Sequence, residues 1–173
     1  MKNKYYWIKY KITFLGLLGS LIFAFFCFIF QIINLSQFIL LMLYMPGFIY
    51  GLFMAKALSP YSEKSELILL LSMFEYLAMI YFCSLDFEYL VVRRILMGGI
   101  GALLFLTSVK NITHIKLTSL DLFFGFCIGI LSTCIMWTDS FYSVDPWMII
   151  LSIVLWQTFI SLIISRRVLI LGL

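Results

Sequence analysis

Six long apolar runs, separated by short polar breaks, constrain the fold of this chain more than any other feature of its sequence. The runs cover approximately residues 12–33, 37–57, 67–83, 93–109, 120–137 and 147–165. A helix needs roughly 17–25 mainly apolar residues to cross a bilayer, and the runs match that length. Only helices or closed barrels satisfy the backbone in lipid, and strand-like alternation is absent from the sequence. The pattern therefore predicts an all-α, polytopic transmembrane helical bundle with six spans.

The composition supports a membrane location and argues against a separate soluble domain. Apolar residues make up 64% of the 173 residues and charged residues only 12%. The breaks between the runs are too short for an independently folded unit, so residues 1–173 are predicted to form one integral membrane domain. Phe, Ile, Leu, Lys, Asn and Tyr are plentiful and Ala is scarce, a bias typical of AT-rich genes. We therefore expect a multi-pass protein of the bacterial inner (plasma) membrane.

The distribution of lysine and arginine predicts the orientation of the spans, because cytoplasmic loops carry an excess of these residues. The cations concentrate at both termini and in alternate breaks: Lys2, Lys4, Lys9, Lys11, Lys56, Lys64, Lys110, Lys116, Arg166 and Arg167. The breaks at 34–36 and 138–146 carry neither lysine nor arginine. Both termini are therefore predicted to lie in the cytoplasm.

Two arginines do not fit that orientation. Arg93 and Arg94 would lie at the outer mouth of the bundle if the third and fourth runs both cross the membrane. These two runs are also the shortest and most polar. The alternative is a bundle of four spans plus a re-entrant or interfacial helical hairpin at about 67–109. Every other loop lies on the same side of the membrane in both arrangements, so the distribution of charge in those loops leaves both open.

Small residues recur at every fourth position in several runs, which puts them on one helix face. The residues concerned are Gly16, Ser20 and Ala24; Gly47, Gly51 and Ala55; Gly98 and Ala102; and Gly125, Gly129 and Thr133. Such grooves let helix backbones approach closely in lipid. They predict tight helix packing, either within the chain or against a second copy or a partner subunit.

One acidic residue lies near the middle of a predicted span. Glu75 occurs in the sequence LSMFEYLAM, where a charged group costs roughly 2.5–3.5 kcal/mol to insert. It is therefore expected to face the protein interior. The functional interpretation is a proton-linked or cation-linked site, and the structural interpretations are a neutral hydrogen-bonded acid or a salt bridge with Arg93 or Arg94.

The connector between the third and fourth runs gathers further charges. Asp86, Glu88, Arg93 and Arg94 lie close together in sequence, and two arginines could hold a lipid phosphate or carboxylates of a partner. Together with Glu75 they form the candidate intramembrane or interfacial polar site.

Enzyme chemistry is not predicted. The sequence lacks a P-loop, a GxSxG elbow, an HExxH pair and a nucleophile with a partner histidine. Its single histidine, His114, has no second ligand type nearby, and its four cysteines match no metal-binding spacing. We expect no catalytic residues, no cofactor and no metal.

Three functional classes are considered, and the scarcity of histidine, aspartate and glutamate inside the runs argues against one of them, a membrane enzyme acting on lipid. The first is a non-enzymatic membrane subunit that anchors or senses for a cytoplasmic partner. Its expected contacts are the bilayer and either a second copy or that partner. Direct binding of nucleic acid is not expected. The alternative is a small transporter or channel in which Glu75 and Arg93 or Arg94 line a polar pathway.

In size, span pattern and composition, the chain resembles the membrane subunit of bacterial anti-phage defence systems of the Kiwa type. No diagnostic motif carries the resemblance, so no residues are transferred from it. The resemblance implies a role in antiviral defence, with sensing of envelope disturbance by the membrane protein and a nucleic-acid-binding partner in the cytoplasm. It also implies four spans, which would require the hairpin arrangement of residues 67–109.

Overall fold

The computed structural model describes residues 2–32, 38–84, 90–134 and 146–171, and within them the chain is all-helical. Six α-helices follow one another, with a short 3₁₀ turn at Ser59–Tyr61 after the second. Their bounds are α1 Lys2–Ile32, α2 Phe38–Leu58, α3 Glu66–Ser84, α4 Leu90–Ile112, α5 Ser119–Cys134 and α6 Pro146–Leu171. The all-α prediction is confirmed, and a helix covers the described part of each predicted run.

Local sequence signals explain where several helices begin. Pro146 opens α6, at the position where a missing backbone N–H costs nothing. At the start of α5, the backbone N–H of Thr118 donates to the Asp121 carboxylate (2.7 Å), and the Asp121 N–H donates to the Thr118 hydroxyl (3.4 Å). This reciprocal pair is a capping box, which satisfies backbone donors that the helix itself leaves unpaired.

The six helices form a closed ring. Each helix packs against the next along the chain, and α6 packs back against α1. Buried side chains from five of the six helices meet in one large apolar cluster, which includes Ile12, Tyr50, Phe105 and Ile164. A smaller cluster joins α1, α2 and α6 through Phe23, Ile49 and Ile150. The core therefore runs along the inside of the ring.

The small residues predicted to pack helices make close contacts within the chain. A methyl group added to Gly98 would meet the backbone carbonyl oxygen of Gly129, and one added to Gly129 would meet that of Gly98. Gly47 of α2 similarly approaches the backbone of Ser72, and Gly16 of α1 lies against Ser161 of α6. Packing inside the bundle thus accounts for these grooves, and α4 approaches α5 as closely as their backbones allow.

Two hydrogen bonds join the connections at one end of the bundle, where α2 and α4 end and α3 and α5 begin. The backbone N–H of His114 donates to the carbonyl oxygen of Tyr61 (3.1 Å), and the Ser62 hydroxyl donates to the Ile112 carbonyl (2.6 Å). These bonds fasten the α2–α3 connection to the α4–α5 connection. We call this end of the bundle the loop end.

Two segments of the described chain are long and apolar enough to cross a membrane. They are Tyr10–Ile29 in α1 and Ile150–Val168 in α6. Only 33% of the first segment and 44% of the second are buried inside the chain. Much of their apolar surface consequently faces away from the bundle.

Candidate functional site

Glu75 is buried between α3 and α4 with only part of its hydrogen-bonding capacity used. Its residue is 7% exposed. The hydroxyl of Ser108, on α4, donates to Oε1 of Glu75 over 3.0 Å. The second carboxyl oxygen, Oε2, is buried and has no hydrogen-bond partner among the described residues. Sequence reasoning correctly expected the side chain to face inward, but it did not identify Ser108.

The other members of the predicted polar site are not brought to Glu75 by the described structure. Asp86 and Glu88 lie outside the described residues, whereas Arg93 and Arg94 fall in the first turns of α4, where only the backbone is described. Along α4 the backbone of Arg94 is about 21 Å from that of Ser108, at 1.5 Å per residue. Ser108, near the opposite end of α4, is therefore the polar neighbour that the structure assigns to Glu75.

A second group of buried polar residues has its hydrogen bonds far better satisfied. Gln157 of α6 is completely buried. Its Oε1 accepts from the Ser20 hydroxyl of α1 (2.7 Å), and its Nε2 donates to the Pro46 carbonyl of α2 and to the Tyr76 hydroxyl of α3, both over 3.2 Å. We call these residues, with Tyr50 and Ser161, the Gln157 cluster. One amide thus joins four of the six helices.

Tyr50 and Ser161 extend the cluster toward the loop end. The two hydroxyls lie 2.9 Å apart, and the Tyr50 hydroxyl also donates to the backbone carbonyl of Gln157 (3.2 Å). Both residues are completely buried. Aromatic rings surround them, since Trp156 packs edge-on against Tyr50, Tyr76 and Phe105. The Trp156 indole N–H also reaches a backbone acceptor, the Gly98 carbonyl of α4 (3.2 Å).

Sequence reasoning missed the Gln157 cluster, although one signal was available. Gln157, Ser161 and Ser165 recur at every fourth position of an otherwise apolar run, and all three are completely buried. Polar residues with that spacing in a membrane helix indicate a face that bonds to other helices. The partners of Gln157 come from distant segments, since Ser20 of α1 and Pro46 of α2 are more than a hundred residues away and Tyr76 of α3 is 81 residues away.

The loop end of the bundle is basic. Its exposed cations in the described chain are Lys11, Lys56, Lys64, Lys110, Lys116 and Arg166, and its exposed acids are Glu63 and Glu66. Nearby, Arg167 pairs with Asp121 (2.5 Å), so α6 is tied to the start of α5. An open depression of ≈ 370 Å³ lies between α4 and α5, lined by residues that include Lys110, His114 and Lys116. This arrangement can attract anionic groups.

Comparison with known proteins gives no match to a protein-family model, a curated protein or a solved structure. The resemblance to a Kiwa-type membrane subunit therefore stays a prediction from size, span pattern and composition.

Proposed function

We propose that this chain is a multi-pass protein of the bacterial inner membrane whose six helices all cross the bilayer. The support is the outer surface of the bundle, which carries large exposed apolar side chains such as Phe14, Phe25, Phe74, Phe123 and Leu131. Soluble monomers rarely expose extended apolar surface, because it drives aggregation in water. In a bilayer these side chains would contact acyl chains instead of water. The backbone polar groups of each helix are bonded within the helix, so they need no water either.

The lengths of α3 and α4 favour six crossings over four spans with a re-entrant hairpin. α3 has 19 residues and α4 has 23. At 1.5 Å per residue they measure about 28 and 34 Å, which suits a hydrocarbon core of about 30 Å. A hairpin that enters and leaves on the same side would need shorter helices.

A cysteine-accessibility experiment tests the number of crossings. Ser84→Cys and Tyr89→Cys, each in a cysteine-free variant, are treated in intact cells with a thiol reagent that does not cross membranes. With six crossings, both positions react from outside. Glu63→Cys, at the loop end, is the matched control and should react only after the membrane is opened. Labelling of Ser84→Cys and Tyr89→Cys only in opened cells would establish the hairpin arrangement instead.

Within the membrane, we propose that the protein acts without catalysis, as a subunit that anchors or senses for a cytoplasmic partner. The observation that carries this proposal is the basic loop end with its depression at Lys110, His114 and Lys116. Cytoplasmic faces of membrane proteins are enriched in lysine and arginine, so this end is oriented toward the cytoplasm. There it suits an acidic protein surface, and the resemblance to Kiwa-type systems makes a partner in anti-phage defence the first to test.

Co-purification with the product of a co-transcribed gene tests the subunit role. The variant carrying Lys110→Glu and Lys116→Glu should recover at least about tenfold less partner, because charge complementarity across the contact is reversed. The matched control carries Lys110→Arg and Lys116→Arg, keeps the charge and should recover the partner normally. Equal recovery of the partner by both variants would exclude the loop end as its binding surface.

Transport is the second candidate function, and one observation favours it. Oε2 of Glu75 is buried without a hydrogen-bond partner within residues 2–32, 38–84, 90–134 and 146–171 as described, and acids inside membrane proteins often mark ion or proton pathways. In proteoliposomes, a transport role predicts a solute or proton flux that Glu75→Gln abolishes. Normal flux in that variant would exclude a pathway through this residue.

A further inference from the structure

We propose that Glu75 is a proton-binding site of the α3–α4 interface, in which the carboxyl group is held as a neutral acid. In this arrangement Oε1 is the carbonyl oxygen that accepts from Ser108, and Oε2 is the oxygen that carries the proton. Proton binding goes beyond the proposed anchoring or sensing role, which requires no such ligand. It depends neither on the basic loop end nor on the number of crossings.

The hydrogen bonding of Glu75 supports the neutral form. An ionised carboxylate is stable in a protein interior when several donors or a cation surround it, and otherwise the group takes up a proton. Glu75 receives one donor, the Ser108 hydroxyl, at Oε1. Its Oε2 receives none from the part of the chain that the structure describes. A neutral acid leaves a single uncharged hydroxyl unpaired, which costs far less than an unpaired charge.

The groups around Glu75 supply no compensating positive charge in the described part of the chain. The ion pair described there joins Asp121 and Arg167, at the loop end. On α2, the Tyr50 phenol is a titratable group that interacts electrostatically with Glu75, and it carries no positive charge. Tyr76 follows Glu75 on α3 and is bonded to Gln157. α4 contributes the uncharged Ser108, while Lys110 of the same helix is exposed.

A metal ion fits this site less well than a proton. Hard cations such as Ca²⁺ and Mg²⁺ require about six oxygen ligands. The described residues contain no group of three or more histidine, cysteine, aspartate or glutamate side chains that could hold a metal. One carboxylate and one hydroxyl can hold a proton but not complete such a coordination shell.

Infrared spectroscopy of the full-length protein in lipid nanodiscs tests the proposal directly. At neutral pH the wild type should show the carbonyl stretch of a protonated carboxyl group, with the small downshift in D₂O that such groups give. Glu75→Gln should lose this band. Ser108→Ala should keep the band and move it to higher frequency, because the carbonyl oxygen Oε1 then loses its hydrogen-bond donor.

Dicyclohexylcarbodiimide, which modifies protonated carboxyl groups in apolar surroundings, provides an independent chemical test. The acid adds its O–H across one C=N bond of the reagent, and the acyl group then migrates to nitrogen to give a stable N-acylurea, with nothing released. Peptide mapping should locate the label at Glu75. Asp121, which is paired with Arg167, is the internal control and should remain unmodified.

Three outcomes would overturn the proposal. The first is a wild type without the protonated-carboxyl band, and the second is a band that survives in Glu75→Gln. The third is loss of the band and of carbodiimide labelling when NaCl replaces choline chloride at constant pH, which would identify a sodium site. If Glu75→Gln does not fold, the frequency change in Ser108→Ala decides, because an unchanged band would exclude Glu75 as its source.

Discussion

The Gln157 cluster and the Glu75 site are both polar, both buried and both at helix contacts, yet they differ in how completely they are bonded. Gln157 is bonded at its oxygen and twice at its nitrogen, by groups from three other helices. Glu75 is bonded by the described residues at one oxygen only. A fully bonded amide specifies which helices lie together. An incompletely bonded acid costs stability, and such a cost is typical of a functional residue.

The largest effect on the free energy of unfolding should come from replacing Gln157, the bonded amide. Gln157→Leu keeps the approximate volume but eliminates the three side-chain hydrogen bonds to Ser20, Pro46 and Tyr76. Each interhelical bond in a membrane contributes about 0.6 kcal/mol, so the free energy of unfolding should fall by about 2 kcal/mol. Unfolding in mixed micelles with an increasing fraction of SDS measures this change.

The control for this experiment is Thr158→Val in the same helix. The Thr158 hydroxyl donates to the Val154 carbonyl of its own helix (2.7 Å) and, in the described part of the chain, joins no second helix. Its loss should leave the free energy of unfolding nearly unchanged. Equal destabilisation by Gln157→Leu and Thr158→Val would mean that the cluster does not hold the ring together.

Replacing the incompletely bonded acid should change stability in the opposite direction. Glu75→Leu removes a buried acid and adds apolar contact between α3 and α4, so we expect the free energy of unfolding to rise by about 1 kcal/mol. In the proposed six-span arrangement, the gain is smaller than the full insertion cost, because the acid would also be in the bilayer when the helices separate. The same SDS titration measures it, and a marked loss of stability would indicate that the carboxyl group has a structural role after all.

The smallest effect is expected at Ser108. Ser108→Ala removes one interhelical hydrogen bond, to Oε1 of Glu75, and should lower the free energy of unfolding by about 0.6 kcal/mol. The double variant with Glu75→Leu provides the sharper measurement. If the two residues interact as described, Ser108→Ala should have no effect once Glu75 is leucine.

The positions of the helices could be predicted from the sequence because they depend on local composition. α3 spans Glu66–Ser84, one residue longer at each end than the predicted run at 67–83. α1 begins at Lys2, ten residues before its predicted run at 12–33. Hydropathy counts only apolar residues, whereas a helix continues through the lysines and tyrosines that precede the run. Polar helix ends are therefore underestimated by this approach.

The contacts of the buried polar groups could not be predicted in the same way. That Glu75 would face inward followed from the cost of an acid in lipid, but its neighbour depends on the register between α3 and α4. Side-chain packing sets that register, and a sequence window does not encode it. Gln157 meets Ser20 and Pro46 because the ring closes between α6 and α1, a contact that joins the most distant parts of the chain.

The position of Gln157 in α6 has a consequence for biogenesis. Synthesis proceeds from the N-terminus, so α6 leaves the ribosome after the other five described helices. Until it inserts, the Tyr76 hydroxyl and the Pro46 carbonyl lack the amide that they bond in the finished ring. An incomplete chain therefore leaves these polar groups without their partner, and arrival of the sixth helix is the step that completes their hydrogen bonding.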